Sequence, residues 1–85
     1  MKRMYLEIIT PDKKIFEGEV ESATFPGSKG SFQVLNNHAA LVSSLSKGKV
    51  MYRNAKKEAS ELIVTGGVVE VLHNHITLLA EGIEE

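Results

Sequence analysis

Short runs of strand-forming residues, each closed by turn residues, dominate this sequence and limit the folds open to it. Residues 5–10 alternate between two faces and stop at Pro11-Asp12, and residues 49–53 alternate again before a polar turn at 54–57. Nowhere does an apolar period of 3.6 residues persist for the ten or more residues that a helix needs. Seven or more such runs, with short links and no crossover helix, favour an antiparallel β-sandwich or barrel.

Two links between these runs have a composition that suggests their geometry. His73-Asn74 has the length of a hairpin turn, and asparagine tolerates a positive φ. Gly66-Gly67 interrupts an otherwise continuous β run, which indicates a bulge, a bend at a sandwich corner or a close approach of another backbone. Residues 39–45 could instead form one short helical turn.

Length and composition exclude several classes of protein. The 85 residues predict a single domain, residues 1–85, and a chain this short buries only about 60–65% of its unfolded surface. Ten basic residues are scattered among eleven acidic ones, for a net charge of −1, so nucleic acid is not an expected partner. Without cysteine there is no thiolate metal site, and the longest apolar segment is too short for a spanning helix.

Three candidate chemistries lack part of their motif. The segment Gly27-Ser28-Lys29-Gly30-Ser31 has the wrong order for a phosphate-binding loop and precedes a strand, which favours a tight turn. A hydrolase using His38 lacks a serine in a strained elbow. His73 and His75 lack a third zinc ligand nearby in sequence. We therefore expect no enzyme activity, no cofactor and no metal.

The stretch from Phe25 to Leu45 has no such chemistry, but it gathers small and apolar side chains near one region. Those side chains either fill a thin core or form an exposed patch for a protein partner. Both interpretations stay open on composition alone.

Several ordered motifs identify a family. In order they are Phe16 with Gly18 and Val20, Gly27-Ser28-x-Gly30, His38-Ala39-x-Leu41, Gly48, the run 65–71 and the run 76–80. With these motifs the sequence resembles, over about residues 4–82, the N-terminal β-sandwich domain of the epsilon subunit of bacterial rotary ATP synthases.

The resemblance implies a flattened sandwich of about ten short strands and a non-catalytic role in the central stalk. Such a subunit couples the c-ring of a proton- or sodium-driven synthase to the gamma subunit. It lies at the cytoplasmic face of the bacterial plasma membrane and meets the membrane only through the complex. A generic β-sandwich module that binds a peptide or small ligand is the alternative.

The resemblance also assigns roles to residues. Those expected to face the c-ring are Gly27, Ser28, Lys29, Gly30, Ser31 and Phe32. Those expected to face gamma are Thr10, His38, Ala39, Leu41, Val42 and Ser43. Those expected to be structural are Gly66, Gly67 and Glu70.

The sequence departs from the family in three places. Ser31 stands where an acidic residue is often found, and Asn36-Asn37 replaces the usual Pro-Gly before the histidine. The sequence ends at Glu85, whereas family members commonly continue into a C-terminal helical hairpin that can bind ATP and inhibit hydrolysis. We therefore expect that inhibitory function to be absent or supplied otherwise.

Overall fold

Ten short strands make up most of the computed structural model, which describes residues 3–84. The strands are β1 Met4–Ile9, β2 Lys14–Val20, β3 Ser22–Gly27, β4 Gly30–Leu35, β5 Leu41–Leu45, β6 Gly48–Arg53, β7 Ala59–Val64, β8 Gly67–Leu72, β9 His75–Ala80 and β10 Ile83–Glu84. The all-β prediction and the count of about ten strands are confirmed. Within the described range there is no helix long and apolar enough to span a membrane.

The strands follow one path that folds back on itself. Their order is β10-β7-β6-β3-β5-β8-β9-β1-β2, with β4 paired to the other side of β3. The link between β3 and β5 is a single register pair, Gly27 with Leu45. We therefore describe two layers of five strands, the first formed by β4, β3, β6, β7 and β10 and the second by β5, β8, β9, β1 and β2.

One pairing differs from the antiparallel prediction. β1 and β9 run parallel, with Tyr5 opposite His75 and Ile9 opposite Leu79. Parallel neighbours need a long connection between them, and the seven intervening strands provide it. Every other pairing is antiparallel.

Alternation along the strands creates a single apolar core between the layers. In β1, for example, Met4, Leu6 and Ile8 are buried while the residues between them are half-buried on the other face. Phe16 of the second layer contacts Tyr52 of the first, with ring centroids 4.4 Å apart. Among the described residues, no polar or charged side chain is buried, so apolar packing holds the layers together.

The two sequence-predicted links have definite geometry. His73 and Asn74 have φ values of 50° and 61° and form a two-residue hairpin loop between β8 and β9, which confirms the hairpin prediction. Gly66 and Gly67 lie where the chain passes from β7 in the first layer to β8 in the second. At Gly67 a Cβ would collide with the carbonyl oxygen of Leu79, so this link is both a corner and a close backbone approach.

The helical turn considered for residues 39–45 is wrong. Leu41–Leu45 is strand β5, and it pairs along its whole length with β8. A continuous ladder to a neighbouring strand satisfies the backbone of this segment, which an isolated turn of helix would leave largely unpaired.

Candidate functional site

The second layer presents an apolar outer surface, which we call the apolar face. It consists of Val42, Val68, Leu72 and Leu79, which are 70%, 42%, 47% and 54% exposed. Register places them on one side of the sheet. Val68 is opposite Leu79, and Val42 is opposite Glu70. Glu70 lies on the same face of β8 as Val68 and Leu72, because alternate residues of a strand share a face. Adjacent exposed apolar side chains of this kind are typical of a protein interaction surface.

At one end of the apolar face, three asparagines join two loops that are distant in sequence. Asn74 Oδ1 accepts a hydrogen bond from the backbone N–H of Asn37 at 2.7 Å, and Asn74 Nδ2 donates to Asn36 Oδ1 at 2.8 Å. The backbone N–H of Tyr5 donates to the Asn74 carbonyl at 2.8 Å. We call Asn36, Asn37 and Asn74 the asparagine clasp, because it fixes the β4–β5 loop to the β8–β9 hairpin.

Beside the clasp lies a cavity of about 530 Å³, here called the His38 cavity. Arg3, His38 and His73 line it together with Asn37 and Asn74 of the clasp, and Ala40 and Leu72 supply its apolar part. The His38 ring is held by its Nδ1, which lies 2.8 Å from the Ala39 carbonyl oxygen. A carbonyl can only accept, so Nδ1 donates and Nε2 is left for another partner.

The β3–β4 hairpin contains the residues expected to face the c-ring. Its loop consists of Ser28 and Lys29, both exposed, and Gly30 follows with a φ of 130°. The loop is tied to β5, because Ser28 N–H donates to the Ser44 carbonyl at 3.0 Å and the two hydroxyls lie 2.9 Å apart. Ser31 is not in the loop but in β4, where its side chain is exposed.

Phe32 and the pair Gly27 and Gly30 have positions different from the exposed loop. Phe32 is half-buried and packs on Phe25, with ring centroids 5.7 Å apart. Gly27 is opposite Gly30 in the ladder, and a Cβ on Gly27 would approach the Gly30 carbonyl oxygen to 2.6 Å. Of the residues expected to face the c-ring, therefore, Ser28, Lys29, Gly30 and Ser31 are the exposed ones.

The residues expected to face gamma are not all brought together. Thr10 follows the end of β1, next to Lys13, whose carbonyl accepts a bond from the Thr10 hydroxyl at 3.1 Å. Since β1 is parallel to β9, Thr10 lies at the end of the sheet marked by Ala80, whereas His38 lies at the His73-Asn74 end. The β3–β4 loop lies at the same end as Thr10. Gly27, which precedes that loop, pairs with Leu45 of β5. Leu45 also pairs with Gly67 of β8, and Gly67 pairs with Ala80 of β9.

The neighbours of His38 also divide between two faces. Ala39 is exposed, Val42 belongs to the apolar face, and Leu41 packs against the core. Ser43 is half-buried on the same side of β5 as Leu41. Glu70, expected to be structural, is exposed opposite Val42.

Sequence reasoning missed a group of polar and charged side chains on the outer surface of β9, β1 and β2, here called the polar cluster. Its members are Tyr5, Glu7, Lys14, Glu17 and His75. Nε2 of His75 lies 2.7 Å from Oε1 of Glu7, and Nζ of Lys14 lies 3.2 Å from Glu7 and 2.9 Å from Glu17. No local pattern reveals this group, because Glu7 and His75 are 68 positions apart.

These contacts shift the acidity of the polar cluster. The pKa of Glu7 is lowered, first by its hydrogen bond with His75 and then by Lys14. The pKa of Glu17 is lowered by hydrogen bonds with Tyr5 and Lys14, and the pKa of Lys14 is raised by Glu17 and Glu7. Hydrogen bonding to the charged form has this effect on a carboxylate.

The described residues do not assemble the catalytic pair that a hydrolase would need. Ser28 and Ser44 bond to each other at the end of the sheet opposite His38, and His38 bonds to its neighbouring carbonyl. Within residues 3–84, no three histidine, aspartate or glutamate side chains are close enough to hold a metal ion.

Comparison with solved structures supports the architecture. A chain of the mitochondrial ATP synthase of Euglena gracilis superposes with a TM-score of 0.90 at 18% identity, covering 96% of this chain and 52% of that one. A chain of the Tetrahymena thermophila mitochondrial ATP synthase, from a structure of its central stalk and c-ring, gives 0.83 at 20% identity, covering 99% and 67%. At these identities the likeness establishes the fold alone.

Sequence comparison gives relatives at higher identity. The ATP synthase epsilon chain of a Nitratiruptor species is 40% identical over 82 residues, and that of Pelotomaculum thermopropionicum is 40% identical over 83. The matches cover 96% and 98% of this chain but 64% and 61% of those proteins, so it spans a little under two thirds of their length. Residues 3–85 match the model of the family described as ATP synthase, Delta/Epsilon chain, beta-sandwich domain. The chain therefore belongs to the family of the ATP synthase delta/epsilon-chain β-sandwich domain.

Proposed function

We propose that this chain acts as the β-sandwich part of a non-catalytic rotor subunit of a proton- or sodium-driven ATP synthase, where residues 1–85 form a single domain. Its relatives are ATP synthase epsilon chains, and chains of like fold occur in ATP synthases, in one case in the central stalk with the c-ring. Its partners on this proposal are the gamma subunit and the c-ring. The chain would sit at the cytoplasmic face of the bacterial plasma membrane and be held there by the complex.

The observation that most supports this function is the apolar face. Val42, Val68, Leu72 and Leu79 are exposed on the same side of the sheet, around Glu70. Covering them would remove apolar surface from water, which stabilises a complex by about 25 cal/mol per Å² before the costs of association. The proposal assigns this face to gamma, with Val42 as its most exposed member and His38 at its end.

A rotor connector needs a second surface besides the first. The β3–β4 loop supplies one at the end of the sheet opposite His38, where Ser28, Lys29 and Ser31 are exposed. Ser31 has a hydroxyl in place of the acidic group usual in the family, so we propose that contact with the polar loops of the c-ring relies on neutral hydrogen bonds and on Lys29.

The interior between these surfaces suits the transmission of torque. The core cluster contains fifteen buried apolar residues from both layers, and close-packed interiors of this kind have low compressibility. Short links limit the movement of the strands relative to one another. Rotation of the c-ring would therefore pass to gamma through a stiff block, while bond chemistry takes place elsewhere in the complex.

A matched pair of lysine substitutions tests the assignment of the apolar face. Val42→Lys places a charge opposite Glu70, and Met51→Lys places one opposite Glu61 on the outer surface of the first layer, where Met51 is 40% exposed. Both variants should fold, since each lysine meets a cross-strand glutamate. Val42→Lys should weaken binding to the cognate gamma subunit by roughly thirtyfold or more, about 2 kcal/mol, as measured by calorimetry.

The control variant Met51→Lys should bind gamma as the unsubstituted protein does. Equal weakening by the two substitutions would contradict the assignment of the face. A folded chain that never associates with gamma would defeat the rotor function itself. In that case the His38 cavity would favour the alternative, a β-sandwich module that binds a peptide or small ligand.

A further inference from the structure

The ionisable side chains that line the His38 cavity are all basic, although the protein has a net charge of −1. The cavity's titratable lining residues are Arg3, His38 and His73, and none of the described residues that line it is acidic. Glu19 lies nearby and contacts Arg3 at 3.4 Å, but this pair is exposed and involves one of the two terminal guanidinium nitrogens. Arg3 therefore keeps N–H donors free for another acceptor.

The two loops that form the walls of this cavity are held in place before any ligand arrives. The asparagine clasp fixes both loops that form its walls, with Asn37, His73 and Asn74 all at left-handed φ values. The Ala39 carbonyl occupies Nδ1 of His38, so protonation of the ring creates a donor at Nε2. Preorganised donors of this kind lose little entropy when they bind a ligand.

We propose that the His38 cavity is a binding site for an oxyanion, a carboxylate or a phosphate, held by His38, His73 and Arg3. Charge-assisted hydrogen bonds from imidazolium and guanidinium groups to such oxygens are the strong ones in proteins. Ala40 and Leu72 line the same cavity, so it also accommodates an apolar stem next to the charged group.

The anion has two sources of the same chemistry. Leu72 belongs both to the cavity and to the apolar face, so an acidic side chain of the protein bound on that face can enter the cavity. This source rests on the proposed function. Free phosphate is the other source, and its binding does not depend on gamma.

Titration with inorganic phosphate at constant ionic strength tests the site. We expect saturable shifts in the NMR resonances of the His38 and His73 rings and of the amides of residues 37–40. The His75 ring, which bonds to Glu7 outside the cavity, should shift little. Acetate should compete with phosphate for the same resonances.

The double substitution His38→Asn and His73→Asn removes the titratable rings and keeps a residue that tolerates the φ of 50° at position 73. Followed by the amide resonances, it should weaken phosphate binding by at least about tenfold. Lys29→Gln removes a cation at the other end of the sheet and should leave binding unchanged. If the double substitution does not fold, Arg3→Gln gives the same test with a weaker expected loss.

Several results would overturn the proposal. These are linear shifts of all three histidines without saturation, unchanged affinity in the double variant, or equal weakening by Lys29→Gln. With gamma present, competition between phosphate and gamma identifies a partner carboxylate as the occupant, and simultaneous binding identifies free phosphate. Absence of gamma binding would defeat the rotor function and leave the phosphate titration to decide on the site.

Discussion

At the scale of single residues, Gly67 is the position where backbone geometry permits least change. Its φ is 151°, and a side chain there would meet the backbone of Leu79 and Ala80. Gly30 has a comparable φ of 130° but nothing within 4 Å of the place a Cβ would occupy. The two glycines separate the cost of an unusual conformation from the cost of a collision.

We expect Gly30→Ala to destabilise the fold by about 1 kcal/mol, from backbone strain alone. Gly67→Ala should cost about 1–3 kcal/mol more, because overpacking adds to that strain. Urea unfolding of both variants measures the two costs. An equal loss of stability in the two would show that the corner at Gly67 opens without resistance.

The lowered pKa of Glu7 predicts that the folding stability of the protein depends on pH. Its pKa lies below the ordinary value of 4.5 because His75 and Lys14 bond to the carboxylate, so the unfolded chain binds more protons near that pH than the folded one. The stabilisation is present above 4.5 and is lost as the pH falls through the lowered pKa.

Glu7→Gln should therefore flatten the acid limb of a plot of melting temperature against pH below about 5. Glu61→Gln is the control, since that carboxylate is exposed and its contact with Lys49 spans 3.6 Å. A Glu7→Gln curve parallel to that of the unsubstituted protein would contradict the role given to the polar cluster.

At the scale of secondary-structure elements, the asparagine clasp positions the β4–β5 loop. Asn74 makes the side-chain bonds, whereas Asn37 contributes its backbone N–H to the shortest of them. Both residues have left-handed φ values, 61° and 66°, so glycine can replace either one without strain. Asn74→Gly and Asn37→Gly therefore form a matched pair of substitutions.

Asn74→Gly should destabilise the protein by roughly 0.5–1.5 kcal/mol more than Asn37→Gly, because it removes the acceptor for the residue-37 amide. Hydrogen exchange of that amide should accelerate in Asn74→Gly and stay slow in Asn37→Gly. Equal exchange rates in the two variants would mean that the loop is held by other contacts.

At the scale of the whole molecule, the two layers share one core and meet through Phe16 and Tyr52. A five-stranded layer alone would leave its core-facing apolar side chains in water, so we expect the layers to unfold together. In a Tyr5→Phe background, Tyr52 is the one remaining tyrosine of a chain without tryptophan. Its near-ultraviolet signal should follow the same thermal transition as the far-ultraviolet signal of the strands, and two separate midpoints would refute a single cooperative domain.

The sequence by itself determined the strand character of the chain, the hairpin at His73-Asn74 and the family. These features depend on side-chain alternation, turn chemistry and ordered motifs, which are properties of neighbouring residues. Alternation shows that a strand has two faces, but it does not show what covers each face. Thus β5 was compatible with a helical turn until its pairing with β8 was known.

Only the tertiary structure decided which apolar residues stay exposed and which polar groups meet. Val42, Val68, Leu72 and Leu79 form one face because three strands are in register, and Asn74 reaches Asn37 across 37 positions. It also placed Thr10 and His38 at opposite ends of the sheet, because β1 lies parallel to β9. Such contacts are set by strand order and register, which join distant parts of the chain and leave no local pattern in the sequence.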